Sequence, residues 1–363
     1  MESMGMNPFG DIYRGCRVLI TGHTGFKGSW LAAWLCELGA EVTGFALPPP
    51  TKPNHWELLR LPVRDLRGDI RDFAAVSNVV GGCRPQIIFH LSAQALVRRS
   101  YRDPLESWST NVMGTANLLE ACRKTDILRA IVVVTSDKVY ADSESSWPYK
   151  EDDRLGGHDP YSASKAASEL VVESYRKAFF SADPAPLVAT ARAGNVIGGG
   201  DWSEDRLIPD IIRALERKQS VEIRSPDAMR PWQHVLESLG GYLLLGQYLL
   251  WGRRDFAQAW NFGPNSNDTR TVCSLLTAMQ RYWPDLSWQF CQTKLHEAKL
   301  LHLESSKARS FLGWKPVWDL GTAIEATAAW YREHALTCRP ITNNQIAAYL
   351  QSAAQSACSW IAQ

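Results

Sequence analysis

The amino-acid sequence predicts a doubly wound α/β fold: a parallel sheet covered by helices on both faces, with a smaller α/β substrate lobe towards the C-terminal side. Three observations carry this expectation. Short, β-branched apolar runs alternate with longer segments of helical spacing through the first half of the chain. A glycine-rich turn joins the first such run to the first helical segment. After Asn195 the alternation loosens, and aromatic residues and prolines become frequent.

The elements follow in order. Arg17-Val-Leu-Ile-Thr21 reads as a buried strand, and Phe26 to Leu38 repeats apolar residues at helical spacing. Glu41-Val-Thr-Gly-Phe-Ala46 and Gln86-Ile-Ile-Phe-His-Leu91 are further strands, the latter followed by a helical stretch around Asn111 to Cys122. Arg129-Ala-Ile-Val-Val-Val-Thr135 is the most strongly β-branched run in the chain. A helix from Ser162 to Phe179 leads into the strand Leu187-Val-Ala-Thr-Ala191. Runs that are apolar on both faces belong in a sheet covered on both sides. Ala259-Trp-Asn-Phe262 is strand-like, so the chain near 235–264 is expected to return to the large domain. That domain takes residues 1–195 and binds a dinucleotide. Residues 196–234 and 265–335 form the substrate lobe, and 336–363 a peripheral tail.

Composition narrows the function. With 39 basic and 38 acidic residues the net charge is +1, which supports neither a nucleic-acid nor a membrane-surface partner. The eight cysteines are scattered, without CxxC pairs or histidines at zinc-site spacing, so reduced thiols and no metal centre are expected. The longest apolar stretch, Tyr242 to Trp251, is too short to span a bilayer, and the N-terminus shows no apolar leader. A cytoplasmic protein is expected.

Thr21-Gly22-His23-Thr24-Gly25-Phe26-Lys27-Gly28 follows the first strand and opens the first helix. Glycines here let the backbone approach a pyrophosphate, and the helix N-terminus adds amide donors and a positive dipole. The second strand ends in Phe45-Ala46-Leu47-Pro48, with neither the acid that holds a ribose 2′-hydroxyl nor an arginine for a 2′-phosphate. The loop alone leaves NAD and NADP open. Asp69 and Ile70, after a third strand, and Leu91 and Ala93, after the strand from Gln86, complete the cofactor set. Asp69 reads equally as a helix cap before Arg71.

Tyr161-Ser-Ala-Ser-Lys165 places a phenol and an ammonium four residues apart, on one face of a helix. A free tyrosine has a pKa of about 10, and a neighbouring cation favours the phenolate. Tyr161 is thus the expected base for a sugar hydroxyl and Lys165 its partner. The strongest strand ends in Thr135-Ser136-Asp137-Lys138. Such strand ends face the ligand crevice. Thr135 and Ser136 offer hydroxyls to the substrate oxygen, while Asp137 and Lys138 add an acid and a base. A plain dehydrogenase has no task for that second pair.

These motifs resemble the sugar-nucleotide dehydratases and epimerases of the extended short-chain dehydrogenase type. The resemblance spans roughly residues 12–330. Thr21-Gly-His-Thr-Gly-Phe-Lys-Gly-Ser-Trp30, Asp159-Pro-Tyr-Ser-Ala-Ser-Lys165, Ala191 to Trp202 and Arg230-Pro-Trp-Gln-His-Val-Leu-Glu237 are similar to the branch that dehydrates CDP-sugars. Lys138 stands where dTDP-glucose dehydratases carry a glutamate. The resemblance implies NAD as cofactor, a nucleotide sugar as substrate, a 4-keto-6-deoxy sugar as product, and a homo-oligomer. In that reading Asn195, Arg206, Leu207, Arg230 and His234 hold the nucleotide, with Arg206 and Arg230 clamping the pyrophosphate. His234 reads equally as a structural histidine. An epimerase has no use for the Asp137–Lys138 pair, and a silent dinucleotide sensor none for Ser136, Tyr161 and Lys165.

Overall fold

Six of the apolar runs and the charged edge strand Arg64–Arg67 pair into one all-parallel sheet in a computed structural model, which describes residues 7–141, 147–291 and 302–362. The strands are β1 (Arg17–Thr21), β2 (Glu41–Ala46), β3 (Arg64–Arg67), β4 (Ile87–His90), β5 (Ala130–Val134), β6 (Leu187–Ala193) and β7 (Ala259–Phe262). They lie in the order β7-β6-β5-β4-β1-β2-β3. The order reverses direction between β1 and β4, which is where such sheets open a ligand crevice.

Side chains alternate across the strands, so each strand feeds two cores. Ile131 and Val133 of β5 pack with Leu19, Ile88 and Val188 on one face, beneath α2 (Phe73–Cys83), α3 (Gly114–Cys122) and α4 (Pro160–Ala178). Ala130, Val132 and Val134 pack on the other with Val18, Ile20, Ile87 and Phe89. That side is covered by α1 (Phe26–Glu37) and α6 (Val235–Leu250). Helix α6 is buried along almost its whole length, because it lies directly on β5 and β6. The second lobe holds α5 (Leu207–Glu216) and two short strand pairs. Val221–Ile223 runs parallel to Trp288–Phe290, and Met229–Pro231 antiparallel to Thr269–Thr271.

The chain beyond residue 335 is not a peripheral tail, contrary to the sequence expectation. After α7 (Leu320–Thr337), α8 (Thr342–Gln355) packs against α1 and buries Ile346, Tyr349 and Ala353. Trp360 then stacks on Phe9 at 4.8 Å, and Ile361 and Ala362 pair with Pro8 and Asn7. The spacing 346, 349, 353 is helical, but alanines and glutamines around it dilute the apolar stripe.

All eight cysteines are free thiols. Among the described residues no helix is long and apolar enough to cross a membrane, and no His, Cys, Asp and Glu groups cluster as metal ligands.

Candidate active site

The carboxyl ends of the strands open on one cavity of about 650 Å³, walled on its far side by the second lobe. Gly22 begins its near wall with φ +78°, a conformation that glycine adopts freely and other residues rarely do. A Cβ on Gly28 would stand 2.1 Å from the Gly22 carbonyl oxygen, so α1 seats directly on the turn. Gly25 is the residue before α1 and offers no side-chain cap, which leaves the helix's first amides open to a ligand. Gly22, Thr24, Gly25, Phe26, Lys27 and Gly28 all line the cavity.

His23 does not line it. Its ring is fully buried behind the turn, sharing a 2.9 Å hydrogen bond with Asp65 and meeting Trp56 edge-on at 4.5 Å. The side chain fills the space above Gly44, where a Cβ would stand 2.3 Å from the ring. His23 is thus a packing residue of the loop rather than a cofactor contact.

Farther along this wall stand Ala46, Leu47 and Pro48, then Asp69 and Ile70, with Leu91 and Ala93 across from them. The Asp69 carboxylate accepts Arg71 Nε at 2.9 Å and Nη2 at 2.5 Å. That pairing holds Asp69 below the usual carboxylate range. The glycine turn, the uncapped helix end and the apolar Ala46, Leu47 and Pro48 suit a dinucleotide: pyrophosphate on amides, adenosine against apolar residues. The segment that ends β2, Phe45-Ala46-Leu47-Pro48, carries no cationic residue of its own, while Arg67 of the neighbouring strand donates to the Leu47 carbonyl at 3.2 Å.

Helix α4 brings the tyrosine and lysine to the cavity. Asp159 caps it, accepting Ser162 N at 2.9 Å, and Pro160 fixes the first turn. Asn111 buttresses it by donating to Ser164 Oγ at 2.8 Å. Tyr161 and Lys165 lie one turn apart on the buried face. Lys165 Nζ donates to the Val134 carbonyl at 3.1 Å, and burial pushes its ammonium down to about 8.

Tyr161 departs from the expectation of a lowered pKa. Burial holds its phenol above the ordinary tyrosine value, while a hydrogen bond with Ser136 and the Arg206 charge act against that rise. The opposing cation thus comes from the second lobe. Arg206 also bears on Lys27, whose ammonium burial and that charge push down to about 7. Lys27 Nζ donates to the Tyr242 hydroxyl at 3.2 Å.

Beyond β5 the chain makes one 3₁₀ turn, Asp137–Val139, with Ser136 as its cap. Ser136 Oγ accepts Lys138 N at 3.2 Å and donates to Asp137 Oδ1 at 3.0 Å. Asp137 Oδ2 is buried and has no protein partner. Ser136, Asp137 and Lys138 all line the cavity with Tyr161. Thr135 lines it too, but its hydroxyl is turned inward and donates to Glu169 at 2.5 Å, so it has no proton left for a substrate oxygen.

Asn195, just after β6, and Arg206, Leu207 and Arg230 of the second lobe reach the cavity, and Arg206 Nε is buried without a partner. His234 does not reach it. Its ring is buried between Trp30 and Trp318, with centroids 5.7 and 5.0 Å away, and Leu236 N donates to its Nδ1 at 3.3 Å. His234 therefore caps α6 as a structural residue. Sequence reasoning missed Arg98, Asp205 and Arg224, which also line this wall. Arg224 follows the short Val-Glu-Ile strand, and an arginine at a strand end was the available signal.

Two-thirds of this architecture coincides with one family model. The chain matches the NAD dependent epimerase/dehydratase family over residues 18–248, and it belongs to that family. NAD is its cofactor. It is 47% identical over 334 residues to CDP-glucose 4,6-dehydratase of Salmonella typhimurium, an alignment covering 89% of this chain and 92% of the relative. A dTDP-glucose 4,6-dehydratase from Streptomyces venezuelae, solved with NAD and TYD bound, superposes with a TM-score of 0.75. It is 25% identical and matches 87% of this chain and 97% of its own. UDP-glucose 4-epimerase from Thermotoga maritima shares the fold, with a TM-score of 0.76, 22% identity, and coverage of 88% and 99%.

Proposed function

We infer that this chain converts CDP-glucose to CDP-4-keto-6-deoxyglucose, losing the 6-hydroxyl as water. The observation that carries this reading is the Asp137–Lys138 pair in the same cavity as Tyr161. Oxidation at C4 needs one base; elimination across C5 and C6 needs a further base and an acid. The 47% identity to a CDP-glucose 4,6-dehydratase supports the same assignment.

The cofactor residues are Gly22, Thr24, Gly25, Phe26, Lys27 and Gly28 along the pyrophosphate, Asp69 and Ile70 towards adenosine, and Leu91, Ala93 and the Tyr161/Lys165 pair farther in. NAD, when bound, supplies a reversible hydride acceptor that serves C4 and then C6. Tyr161 takes the proton of the 4-hydroxyl, and Ser136 hydrogen-bonds the same oxygen. The 4-ketone so formed acidifies the C5 hydrogen. Lys138 takes that proton, and Asp137, through its unpartnered Oδ2, protonates the departing 6-hydroxyl. Arg206 and Arg230 hold the diphosphate, and Asn195 and Leu207 the adjoining sugar.

The enzyme works on a soluble nucleotide sugar, as a cytoplasmic homo-oligomer, in the supply of deoxysugars for surface polysaccharide such as O-antigen. Incubation of the purified protein with CDP-glucose and a panel of nucleotide-glucoses tests the reaction. Ketosugar should form from CDP-glucose with no net consumption of NAD. Stoichiometric accumulation of reduced cofactor would mark a plain dehydrogenase instead. Light scattering reads the assembly.

A further inference from the structure

We propose that Arg224 reads the base of the nucleotide sugar, donating from its guanidinium to O2 and N3 of cytosine. This rests on the CDP-sugar reading above and adds the residue that sets its selectivity. Chemistry fixes the sugar at Tyr161. Tyr161, Arg206 at the start of α5 and Arg224 after the strand Val221–Ile223 line the same cavity, and Asp205, the chain neighbour of Arg206, accepts Arg224. A diphosphate held by Arg206 therefore leaves the base at the Arg224 end.

Arg224 is prepared for such a contact. Its Nη2 donates to Asp205 Oδ1 at 3.0 Å, and Arg98 approaches the same oxygen at 3.7 Å from the sheet domain. Asp205 holds a left-handed backbone, φ +57°, which is uncommon for a residue with a side chain. Arg224 is about one-quarter exposed, and no described partner occupies its Nη1 or Nε. A guanidinium has five N–H donors in a planar fork, so a one-sided anchor leaves a donating edge. The other arginines of the wall are placed differently. Arg71 and Arg99 are bound to Asp69 and Glu106, and Arg206 acts on Tyr161.

The selectivity follows from base chemistry. Cytosine presents two adjacent acceptors, O2 and N3. Uracil and thymine carry a hydrogen on N3, which meets the arginine donor to donor. A two-point contact of this kind discriminates by about 10- to 100-fold.

The test compares kcat/KM for CDP-glucose and UDP-glucose in the wild type, Arg224→Gln and Arg224→Lys. Calorimetric Kd values for CDP and UDP on the same proteins need no turnover. Loss of the dehydratase reading would therefore appear in wild-type turnover alone. Both variants should lower the CDP:UDP ratio about 10- to 100-fold, because lysine keeps the charge but not the fork. An equal loss on both nucleotides, restored by lysine, would make Arg224 a phosphate clamp and overturn the proposal. So would a wild type without base preference, or a ratio that collapses in Glu222→Gln, the acidic residue of the same strand that also lines the cavity, but not in the Arg224 variants.

Discussion

Arg192 Nε and Glu169 Oε1 lie 2.9 Å apart in a nearly dry pair, each side chain 4% exposed. Thr135 and Thr190 donate to the remaining lone pairs of Glu169, at 2.5 and 2.7 Å, and Arg192 donates to the Tyr140 hydroxyl at 2.9 Å. The pair ties α4, which carries Tyr161 and Lys165, to β5 and β6. Removing one partner strands a buried charge, which costs about 3–5 kcal/mol. Glu169→Gln should therefore lower unfolding stability by about that amount in urea titrations. A change below about 1 kcal/mol would show that water replaces the lost partner.

Tyr161→Phe removes a single oxygen from a buried ring, so folding should survive. The variant should lose on the order of 10²–10⁴ in kcat, the usual contribution of a positioned acid or base. Wild-type turnover would leave Tyr161 a structural residue.

Lys138 and Asp137 should separate oxidation from elimination. Lys138→Ala should still reduce bound NAD when CDP-glucose is added, but release little 6-deoxy product and exchange little C5 hydrogen with deuterated solvent. Asp137→Asn should keep that exchange and stall on loss of the 6-hydroxyl. Full exchange and full product from Lys138→Ala would return the lysine to the role of a solvated neighbour.

Stability should fall with acid between pH 6.5 and 4.5. Burial lowers His55, His90 and His234 from 6.5 to about 3, so the folded state keeps them neutral. Their contribution is complete above the unfolded value and is lost as pH falls towards the folded one. Glu237, raised to about 7 by burial, acts in the opposite sense over about pH 4.5–7. Three imidazoles outweigh one carboxyl. Melting temperatures across this range should decline, and less steeply in His55→Gln; an unchanged slope would assign acid sensitivity elsewhere.

What could be read from the chain depended on how local the cause was. β1, β2 and β7 match their sequence assignments residue for residue, because strands buried over all but their first residue show as short runs rich in apolar and aromatic residues. The glycine turn and the Tyr161/Lys165 pair were equally visible, since each is a short-range geometry. The roles of Thr135, His23 and His234 depend on Glu169, Asp65 and Trp318, partners far along the chain, and no local pattern announces them. The Arg98–Asp205–Arg224 cluster joins three separate segments and was invisible for the same reason. The C-terminal segment hides its burial because alanines and glutamines surround the few large residues, Ile346 and Tyr349, that face α1.

That segment also dictates when the molecule can finish folding. Phe9 and Trp34 sit beside Trp360 and Tyr349, so the outer wall of α1 is assembled from the first and last described stretches of the chain. Contacts of such long sequence separation form late. During synthesis, a sheet domain already long enough to collapse should keep Trp34 without these partners until α8 leaves the ribosome. Chaperone dependence and aggregation on C-terminal truncation should therefore accompany a domain whose remaining sequence is wholly intact.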